Sequence, residues 1–358
     1  MSDFILRDVV SLTADHRLSL LDQTRLPGRE VFFETDRLEE ICDSIAKLKV
    51  RGAPAIGVAA AMGLAVVFNK KVSEREISNL HDALNELRAA AADLKHSRPT
   101  AVNLEWAVNR MITLAESVVD GDPEMTPKKL SEMLLEEAVN IKEEDVRMCR
   151  AISENGLTLI HRGSTILTHC NAGHLAVSRY GTALGPIHLA QQKGLNPKVF
   201  ADETRPLLQG ARLTAYELQK SGVDVTLICD NMAASMMAAG LIDMVFVGCD
   251  RIAANGDFAN KIGTLSVAVN ARYFGIPFYV LGPSSTYDRK TPTGKDIVIE
   301  ERSGDEIAEM FYSERMAPRG ISLRNPAFDV TPASLVTAYI TEKGVFESAE
   351  ALADSFRG

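Results

Sequence analysis

The chain has no run of lysine and arginine residues, and its overall charge is negative. Across 358 residues, 39 Lys and Arg residues face 48 Asp and Glu residues, which gives a formal net charge of −9. General nucleic-acid binders neutralise phosphates with basic stripes. The composition therefore predicts no nucleic-acid partner, although a local basic pocket for a small anion is compatible with it.

Cysteine is scarce as well. The five cysteines are scattered, odd in number and never spaced as C-x-x-C. This usage favours the reducing cytosol over a disulfide framework or a structural zinc site. We therefore expect a cytoplasmic protein whose cysteines form no disulfides. They are Cys42, Cys149, Cys170, Cys229 and Cys249.

Long apolar runs are also missing. The N-terminus reads MSDFILRDVV, carries charges at once and lacks the apolar core of a signal peptide. The stretch over residues 53–68 contains no polar side chain but is only 16 residues long, which is too short to span a bilayer. It starts with small residues and a proline, so we predict a buried helix there and no membrane-spanning segment.

Neither G-x-G-x-x-G nor G-x-x-x-x-G-K-[ST] occurs in the sequence. Their absence disfavours a dinucleotide-dependent enzyme and a P-loop NTPase. A metal site is disfavoured too, because the adjacent His169 and Cys170 point to opposite faces of an extended chain and cannot readily chelate one ion. We expect neither a cofactor nor a metal.

The first part of the chain has helical periodicity. Helices are predicted from near Pro54, over residues 74–94 and after Arg98. Residues 127–156 alternate acidic and basic residues around apolar positions, which predicts one long amphipathic helix that connects two domains. We therefore expect a mainly helical N-terminal domain over residues 1–126.

From about Ser164 the pattern changes to short apolar runs at regular intervals, separated by helical segments such as residues 206–221 and 261–274. Strands that alternate with helices predict a parallel α/β sheet, and near-continuous apolar strands predict burial on both faces. We expect a Rossmann-like C-terminal domain over residues 157–358. Its five predicted strand runs are TILTHC, KVFADE, VTLICD, MVFVGCD and PFYVLGP.

Polar or reactive residues follow each of these five runs. In open α/β sheets, ligands bind beyond the carboxyl ends of the strands. One such residue alone is more often a helix cap or a solvated loop residue, but five strand ends in succession favour a binding site. The residues are His169-Cys170-Asn171, Asp202 to Arg205, Asp230-Asn231, Asp250-Arg251 and Pro283 to Thr286.

Cys170 and Asp250 are the sharpest candidates for chemistry. A carboxylate in a partly closed apolar pocket has a raised pKa and can act as an acid near neutral pH. A cysteine there can exchange a proton or stabilise a developing charge, although most buried cysteines are core residues. Cys229 and Cys249 lie inside strand runs, so we expect both to be packing residues.

Three segments suit an anion. Residues 51–54, read as RGAP, place a proline in a first helical turn beside an arginine, where N–H groups can bind phosphate. Arg98 begins a similar but weaker segment. Asn260-Lys261 is predicted to open a helix about ten residues after Asp250. From these residues alone we expect an α/β enzyme that handles a small phosphorylated metabolite by acid/base chemistry.

Long motifs run over nearly the whole chain, and through them the sequence resembles the methylthioribose-1-phosphate isomerase family. That family shares a superfamily with the regulatory subunits of translation initiation factor 2B and with ribose-1,5-bisphosphate isomerases. The RPTAVNL, HCNAG and DETRPLLQGARLTA runs together point to the isomerase branch. The other matching runs are LDQTRLPG, LKVRGAPAIG, YGTALGPI, DNMAASMM, VGCDRIAANGDFANKIGT and NPAFDVTPA.

The resemblance implies a role for each site residue. Asp250 would be the proton donor and Cys170 the second catalytic group of an aldose–ketose isomerase. The reaction implied is conversion of 5-methylthioribose 1-phosphate to 5-methylthioribulose 1-phosphate, a step of methionine salvage, without a cofactor. Because the family is commonly homodimeric, the resemblance also implies a homodimer. The substrate-binding residues would be Arg51, Gly52, Ala53, Arg98, Gln209, Asn260 and Lys261.

Three alternatives to this activity stay open. A ribose-1,5-bisphosphate isomerase would share Cys170 and Asp250 but would need a second cationic pocket. A 5-deoxyribose 1-phosphate substrate is conceivable, because an apolar pocket rejects a missing thiomethyl group only weakly. A non-catalytic regulatory subunit would not require the Cys170 and Asp250 pair.

Overall fold

The computed structural model describes residues 6–99 and 101–356. Part of the charged N-terminus and Thr100 of the RPTAVNL motif lie outside these residues. The chain divides into two compact units. We call residues 7–147 together with 174–179 the helical unit, and residue 6 together with 148–173 and 180–356 the sheet unit.

The helical unit joins a small antiparallel sheet to long helices. The helix predicted over residues 74–94 begins later, at Leu80, because the Asn79 side chain accepts a hydrogen bond from the backbone N–H of Asp82 and caps the helix there. The strands are β1 (Val10–Leu12), β2 (Leu18–Leu21) and β3 (Phe32–Thr35). The helices are α1 (Leu38–Ala46), α2 (Ala53–Ser73), α3 (Leu80–Ser97), α4 (Val102–Gly121) and α5 (Pro127–Leu157).

Helix α2 is the central helix of this unit. Every residue from Ala55 to Phe68 is buried, which confirms the predicted buried helix. Its small residues let neighbouring elements approach closely: a Cβ atom on Gly63 would lie 2.9 Å from the Cγ2 atom of Ile41 in α1. Among the described residues, α2 is the single helix long and apolar enough to cross a membrane, but 78% of its apolar window is buried inside the protein. Its surroundings are those of a core helix.

Helix α5 confirms the long amphipathic helix predicted from Pro127. Leu130, Leu134, Ala138 and Ile141 follow helical spacing and are buried. The boundary between the two units falls inside this helix, after Arg147. Its role as a connector between domains stays a prediction.

An ion-pair network ties three parts of the helical unit together. The Asp8 carboxylate accepts hydrogen bonds from Lys142 Nζ at 2.7 Å and from Arg179 Nη2 at 2.7 Å. Asp8 thereby joins the start of the unit to α5 and to the segment 174–179. Burial by itself raises the pKa of Asp8, but the hydrogen bonds and charges of Arg179 and Lys142 outweigh burial and lower it.

The sheet unit contains a seven-stranded sheet in the order β14-β13-β10-β7-β4-β5-β6. All neighbours pair in parallel except β13 and β14, so the expected Rossmann-like parallel sheet is confirmed. The strands are β4 (Thr165–His169), β5 (Lys198–Asp202), β6 (Asp224–Ile228), β7 (Met244–Val247), β10 (Phe278–Leu281), β13 (Ala338–Thr341) and β14 (Gly344–Phe346). The helices are α6 (Gly185–Gln192), α7 (Ala215–Lys220), α8 (Ala233–Ala238), α9 (Thr264–Phe274), α10 (Asp305–Ala308) and α11 (Ala349–Asp354).

Strand β6 departs from the expectation that the strands are buried on both faces. It is the outer strand of the sheet, and most of its residues are exposed or half-buried. Cys229, which directly follows it, is exposed, so the prediction that this cysteine is a packing residue is wrong. An edge strand has a neighbour on one side only, and its end is correspondingly open.

A second sheet of four strands, in the order β11-β8-β9-β12, corrects the predicted start of α9. Asn260 and Lys261 end β9, which pairs with β8 and β12, so they do not open a helix. The helix begins only at Thr264, because Gly263 at φ 105° separates strand from helix. The strands are β8 (Arg251–Ala253), β9 (Phe258–Lys261), β11 (Tyr287–Asp288) and β12 (Phe328–Thr331).

The helix predicted over residues 206–221 is also shorter than expected. Leu208 has φ 56°, a left-handed conformation that no right-handed helix contains. The helix starts only after Leu208, with a π-helical turn over Gly210–Thr214 that continues into α7. A Cβ atom on Gly210 would lie 1.6 Å from the carbonyl oxygen of Asp202, so this turn approaches β5 as closely as only glycine permits.

We expect Asp8→Asn to lower the free energy of unfolding by about 3 kcal/mol at neutral pH, because it leaves two partly buried cations without their carboxylate. The folded-state pKa of Asp8 is lowered. Its contribution is therefore present above the unfolded-state pKa of about 3.9 and is lost as the pH falls through the folded-state value. Urea unfolding at a series of pH values measures this difference.

The matched control for this experiment is Asp93→Asn, an exposed carboxylate on α3 of the same unit. We expect the control to change stability little at any pH. A loss in Asp8→Asn that persisted undiminished below about pH 3 would contradict the assignment, because Asp8 would then act by packing and not by charge.

Candidate active site

The order of the strands reverses at β4. From β4 the chain adds β5 and β6 on one side, and then crosses to the other side to add β7, β10 and β13. His169 at the end of β4 pairs in register with Val247 at the end of β7. Such a reversal opens a crevice at the carboxyl ends of the two strands, where open α/β sheets bind ligands. Cys170 follows β4 and Asp250 follows β7, so both candidates lie at the reversal point.

Cys170 is held in a strained backbone conformation. It is 9% exposed and has φ 66°, a region that residues with a side chain rarely adopt. Its N–H donates to Thr204 Oγ1 at 2.8 Å, and its carbonyl accepts from Thr214 Oγ1 at 2.5 Å. These two threonines fix both sides of the residue. Strain of about 1–3 kcal/mol of this kind concentrates at functional sites.

A second strained residue supports the first. Thr204 has φ 64°, although it is β-branched. The two carboxylate oxygens of Asp230 accept from the N–H groups of Thr204 at 2.6 Å and Arg205 at 2.7 Å. Asp230 therefore fixes the backbone of the turn after β5. This turn places the Thr204 hydroxyl where it accepts from the N–H of Cys170.

Asp250 lies directly before the hairpin that β8 and β9 form. Its N–H donates to the carbonyl of Ala259 at 2.9 Å, and the register pairs Arg251 with Ala259. Asp250 directly precedes β8, and its bond to Ala259 places its backbone beside the strand that ends with Asn260 and Lys261. Asp250 is exposed, which differs from the enclosed position expected from the sequence, because it lies at the entrance of the β8–β9 hairpin.

The structure also shows the surroundings of Asn260 and Lys261. Asn260 is buried, and its Nδ2 donates to Thr264 Oγ1 at 3.0 Å. Lys261 Nζ donates to the carbonyl of Ala327 at 2.8 Å and lies 4.4 Å from the centre of the Phe328 ring. The cation predicted near Asp250 is thus present, but on a strand and not at a helix start.

Gln209 presents a buried acceptor. Its side chain is 7% exposed, and its Oε1 has no hydrogen-bond partner among the described residues. An unsatisfied buried acceptor costs about 1–3 kcal/mol. A ligand hydroxyl that donated to Oε1 would remove this cost, which supports the predicted role of Gln209 in substrate binding.

Four predicted binding residues lie in the helical unit. Gly52 precedes α2 with φ 91°, and a Cβ atom there would lie 2.2 Å from the carbonyl oxygen of Ala176. Only glycine therefore fits between Arg51 and the first helical residue, Ala53. The first turns of α2 and α4 lie together, since a Cβ atom on Gly57 would approach the Asn103 carbonyl at 2.9 Å.

Arg98 lies at the same end of the unit as the start of α2. It caps the C-terminus of α3 and shortly precedes α4, whose first turn packs against α2. Arg51 and Arg98 are both half-buried. The helix start and two arginines on this side of the unit suit an anion, because N–H groups and guanidinium groups both donate hydrogen bonds to phosphate.

His169 and Asp202 form a buried pair, and sequence patterns assign these two residues no role beyond their strand-end positions. His169 Nδ1 lies 3.0 Å from Asp202 Oδ2, and His169 Nε2 lies 2.8 Å from the carbonyl oxygen of Ile262. Burial lowers the pKa of His169, but the hydrogen bonds to Asp202 and Ile262 and the nearby carboxylate charges together outweigh burial and raise it, whereas burial raises the pKa of Asp202. Both shifts favour retention of the proton that the pair shares.

Three possible metal ligands, His169, Asp202 and Asp230, have donor atoms within 4.8 Å of one another. Both ring nitrogens of His169 are engaged in hydrogen bonds, and both oxygens of Asp230 accept from backbone N–H groups. An ion would have to break these bonds. The expectation of no metal stays a prediction.

Cys249 lies beside Asp250 but has the properties of a packing residue. Its Sγ lies 3.4 Å from Thr286 Oγ1, and burial raises the pKa of its thiol to about 12. The thiol therefore stays protonated across the physiological range. This observation favours Cys170 over Cys249 as the reactive cysteine.

The fold and the site define an α/β protein with a Rossmann-like sheet, whose reversal point is the place where open α/β sheets bind ligands. Residues 49–348 match the model of the initiation factor 2 subunit family, and the chain belongs to that family.

Two curated relatives and one solved structure illustrate the similarity. A protein of Parabacteroides distasonis named methylthioribose-1-phosphate isomerase is 58% identical over 327 residues, 91% of this chain and 95% of the relative. A Petrotoga mobilis protein named 5-deoxyribose 1-phosphate isomerase is 53% identical over 330 residues, 92% of each chain. The crystal structure of 5-methylthioribose 1-phosphate isomerase from Pyrococcus horikoshii OT3 is 39% identical, has a TM-score of 0.91, and matches over 98% of this chain and 96% of that one.

We expect Gly52→Ala to destabilise the start of α2, because the added methyl group collides with the Ala176 carbonyl and the backbone is in a left-handed region. The cost should be about 1–3 kcal/mol, and thermal unfolding measures it. Gly121→Ala at the end of α4 is the matched control, since nothing lies within 4 Å of the new Cβ atom. Equal stability of the two variants would show that the Gly52 contact has no energetic weight.

Proposed function

We propose that the protein is an aldose–ketose isomerase that converts 5-methylthioribose 1-phosphate to 5-methylthioribulose 1-phosphate, a step of methionine salvage. The observation that carries the proposal is the strained Cys170 at the reversal point of the sheet, beside the strand that leads to Asp250. The relatives that bear the name of this enzyme support the choice of substrate.

The chemistry needs a proton donor and a route for one hydrogen. Phosphate on the anomeric oxygen prevents simple opening of the sugar to an aldehyde, so Asp250 protonates the ring oxygen as the ring opens. C2 is then oxidised to the ketone and C1 is reduced. The hydrogen moves either through an enediol with Cys170 as the base, or directly as hydride in a dry pocket. In deuterated water, deuterium at C1 of the product identifies the enediol route.

The remaining predicted residues bind the substrate in this proposal. Arg51, Gly52, Ala53 and Arg98 contribute N–H and guanidinium donors for the phosphate. Gln209 Oε1 accepts from a sugar hydroxyl, which satisfies an acceptor that has no partner within the described residues.

In the sheet unit, Asn260 and Lys261 hold the substrate next to Asp250. The pairing of β8 with β9 supports this role, because the Asp250 N–H donates to Ala259, the residue before Asn260. Lys261 supplies a positive charge from the same strand. A substrate bound here would therefore contact the proton donor and two of its binding residues on one hairpin.

A second candidate substrate is 5-deoxyribose 1-phosphate. The Petrotoga mobilis relative that bears this activity in its name favours it, and a pocket for a thiomethyl group discriminates against its absence by only about 1–3 kcal/mol. A comparison of kcat/KM for the two substrates ranks them.

A regulatory subunit without catalysis is the third candidate, and the family description supports it. Turnover of either substrate would exclude this candidate.

We expect Asp250→Asn and Cys170→Ser each to lower kcat by about 10²–10⁴-fold, the usual loss when a proton-transferring group is removed. Turnover of 5-methylthioribose 1-phosphate by the purified protein without added metal provides the measurement. Cys42→Ser is the matched control, because this cysteine lies in α1 of the helical unit and is assigned neither to the site nor to an interface. Wild-type rates in both catalytic variants would overturn the assignment of these two residues.

We further propose that the protein is a cytoplasmic homodimer and that the second copy covers the outer edge of the large sheet. Leu227 in β6 is 48% exposed, and Met232, which shortly follows this strand, is 45% exposed. An unpaired edge strand with exposed apolar residues tends to be covered in the native assembly. Five scattered cysteines support a reducing compartment.

We expect the purified protein to have twice its chain mass of 39.0 kDa in light scattering, and Leu227→Lys to shift it towards the monomer by placing a charge in the interface. Val298→Lys, on a residue that is 95% exposed in the same unit, is the control and should leave the mass unchanged. A monomeric wild-type protein, or an unchanged mass for Leu227→Lys, would count against this interface.

A further inference from the structure

We propose that His169 is a positioning residue that joins the end of β4, and with it Cys170, to the segment that contains Asn260 and Lys261, and that this link sets the affinity for substrate. The inference rests on the proposed function for its kinetic readout. It concerns a residue that neither transfers a proton nor contacts the substrate in that proposal.

The imidazole of His169 bridges two elements of the sheet unit. Its Nε2 lies 2.8 Å from the carbonyl oxygen of Ile262, the residue after Lys261, and its Nδ1 lies 3.0 Å from Asp202 Oδ2. A carbonyl oxygen carries no proton, so Nε2–H must be the donor to Ile262. The hydrogen bond on the Asp202 side then needs a second proton, which lies on either Nδ1 or the carboxyl group.

Burial makes this bridge rigid. His169 is 2% exposed and Asp202 is fully buried, so water cannot readily replace either hydrogen bond. The ring also packs against the backbone of Gly263: a Cβ atom there would lie 2.7 Å from His169 Cε1. The segment can approach the ring this closely only because residue 263 is glycine.

The segment after Lys261 is held from its other side as well. Asp329 on β12 accepts from the N–H groups of Gly263 at 2.8 Å and Leu265 at 3.1 Å. Asp329 fixes the start of α9, whereas His169 fixes the carbonyl of Ile262. Loss of the His169 bond would leave the start of α9 in place and free the carbonyl of Ile262 next to Lys261, while β12 still pairs with β9 as far as Lys261 and the Ile262 N–H still donates to Ala327.

Two substitutions separate the two hydrogen bonds of the ring. In His169→Gln, the longer amide reaches the position of Nε2 and keeps the bond to Ile262. In His169→Asn, the shorter amide occupies the position of Nδ1 and keeps the bond to Asp202. His169→Gln combined with Asp202→Asn removes the buried carboxylate that would otherwise lose its partner. Exposed His161 provides the matched controls, His161→Gln and His161→Asn.

We expect His169→Asn to raise KM for 5-methylthioribose 1-phosphate by about tenfold, the effect of one lost hydrogen bond on binding, with a smaller change in kcat. His169→Gln, alone or with Asp202→Asn, should stay within about threefold of the wild-type KM. If His169 had a purely structural role, both variants would change KM and kcat to a similar extent, and that result would overturn the proposal. So would an unchanged KM in His169→Asn.

Hydrogen exchange supplies a readout that does not depend on the proposed reaction. We expect faster amide exchange at Lys261 and Ile262 in His169→Asn than in His169→Gln, with exchange at Leu265 unchanged because Asp329 still holds it. If the wild-type protein turns over no sugar phosphate, the proposed function fails, while this exchange pattern still tests the link. Equal exchange in the two variants would overturn it.

Discussion

The site depends on one constraint, the position of β4 between β5 and β7 in a parallel sheet. Because β4 pairs with β5 on one side and with β7 on the other, the carboxyl ends of all three strands meet at one edge. After β4 the chain continues to β5 on one side of it, and the later strand β7 lies on its other side. Cys170, Thr204 and Asp250 follow the ends of these three neighbouring strands although they are far apart in sequence, and none of them is brought there by a local motif.

Around that edge, polar contacts fix backbone conformations that would otherwise be unfavourable. Asp230 holds the turn at Thr204, and the Thr204 hydroxyl holds the N–H of Cys170. The positive φ angles of Cys170 and Thr204 persist because these buried hydrogen bonds outweigh their strain. The same arrangement explains why Gly210 and Gly263 are glycines: each lies where a neighbouring strand end leaves no room for a Cβ atom.

Much of the fold could be predicted from the sequence, because apolar periodicity is a local property. The five strand runs, the buried helix α2 and the long helix α5 all appear where the pattern predicted them. The predictions from the sequence fail where a long-range contact determines the local structure. Asn260 and Lys261 are polar residues before a helical run, yet pairing with β8 and β12 makes them a strand. The exposure of Cys229 follows from β6 being the edge strand, and strand order cannot be read from one strand's composition.

By itself, the sequence determined the class of fold, the strand ends at which a site should lie, and the chemical groups available there. These follow from side-chain chemistry and from periodicities of two and 3.6 residues, which each segment carries alone. The tertiary structure alone decided which groups meet. It paired His169 with Asp202 and Ile262, set Cys170 in a left-handed conformation, and bonded Asp250 to Ala259, the residue before Asn260. The physical reason is that strand order and register are set by the burial and hydrogen bonding of the whole sheet.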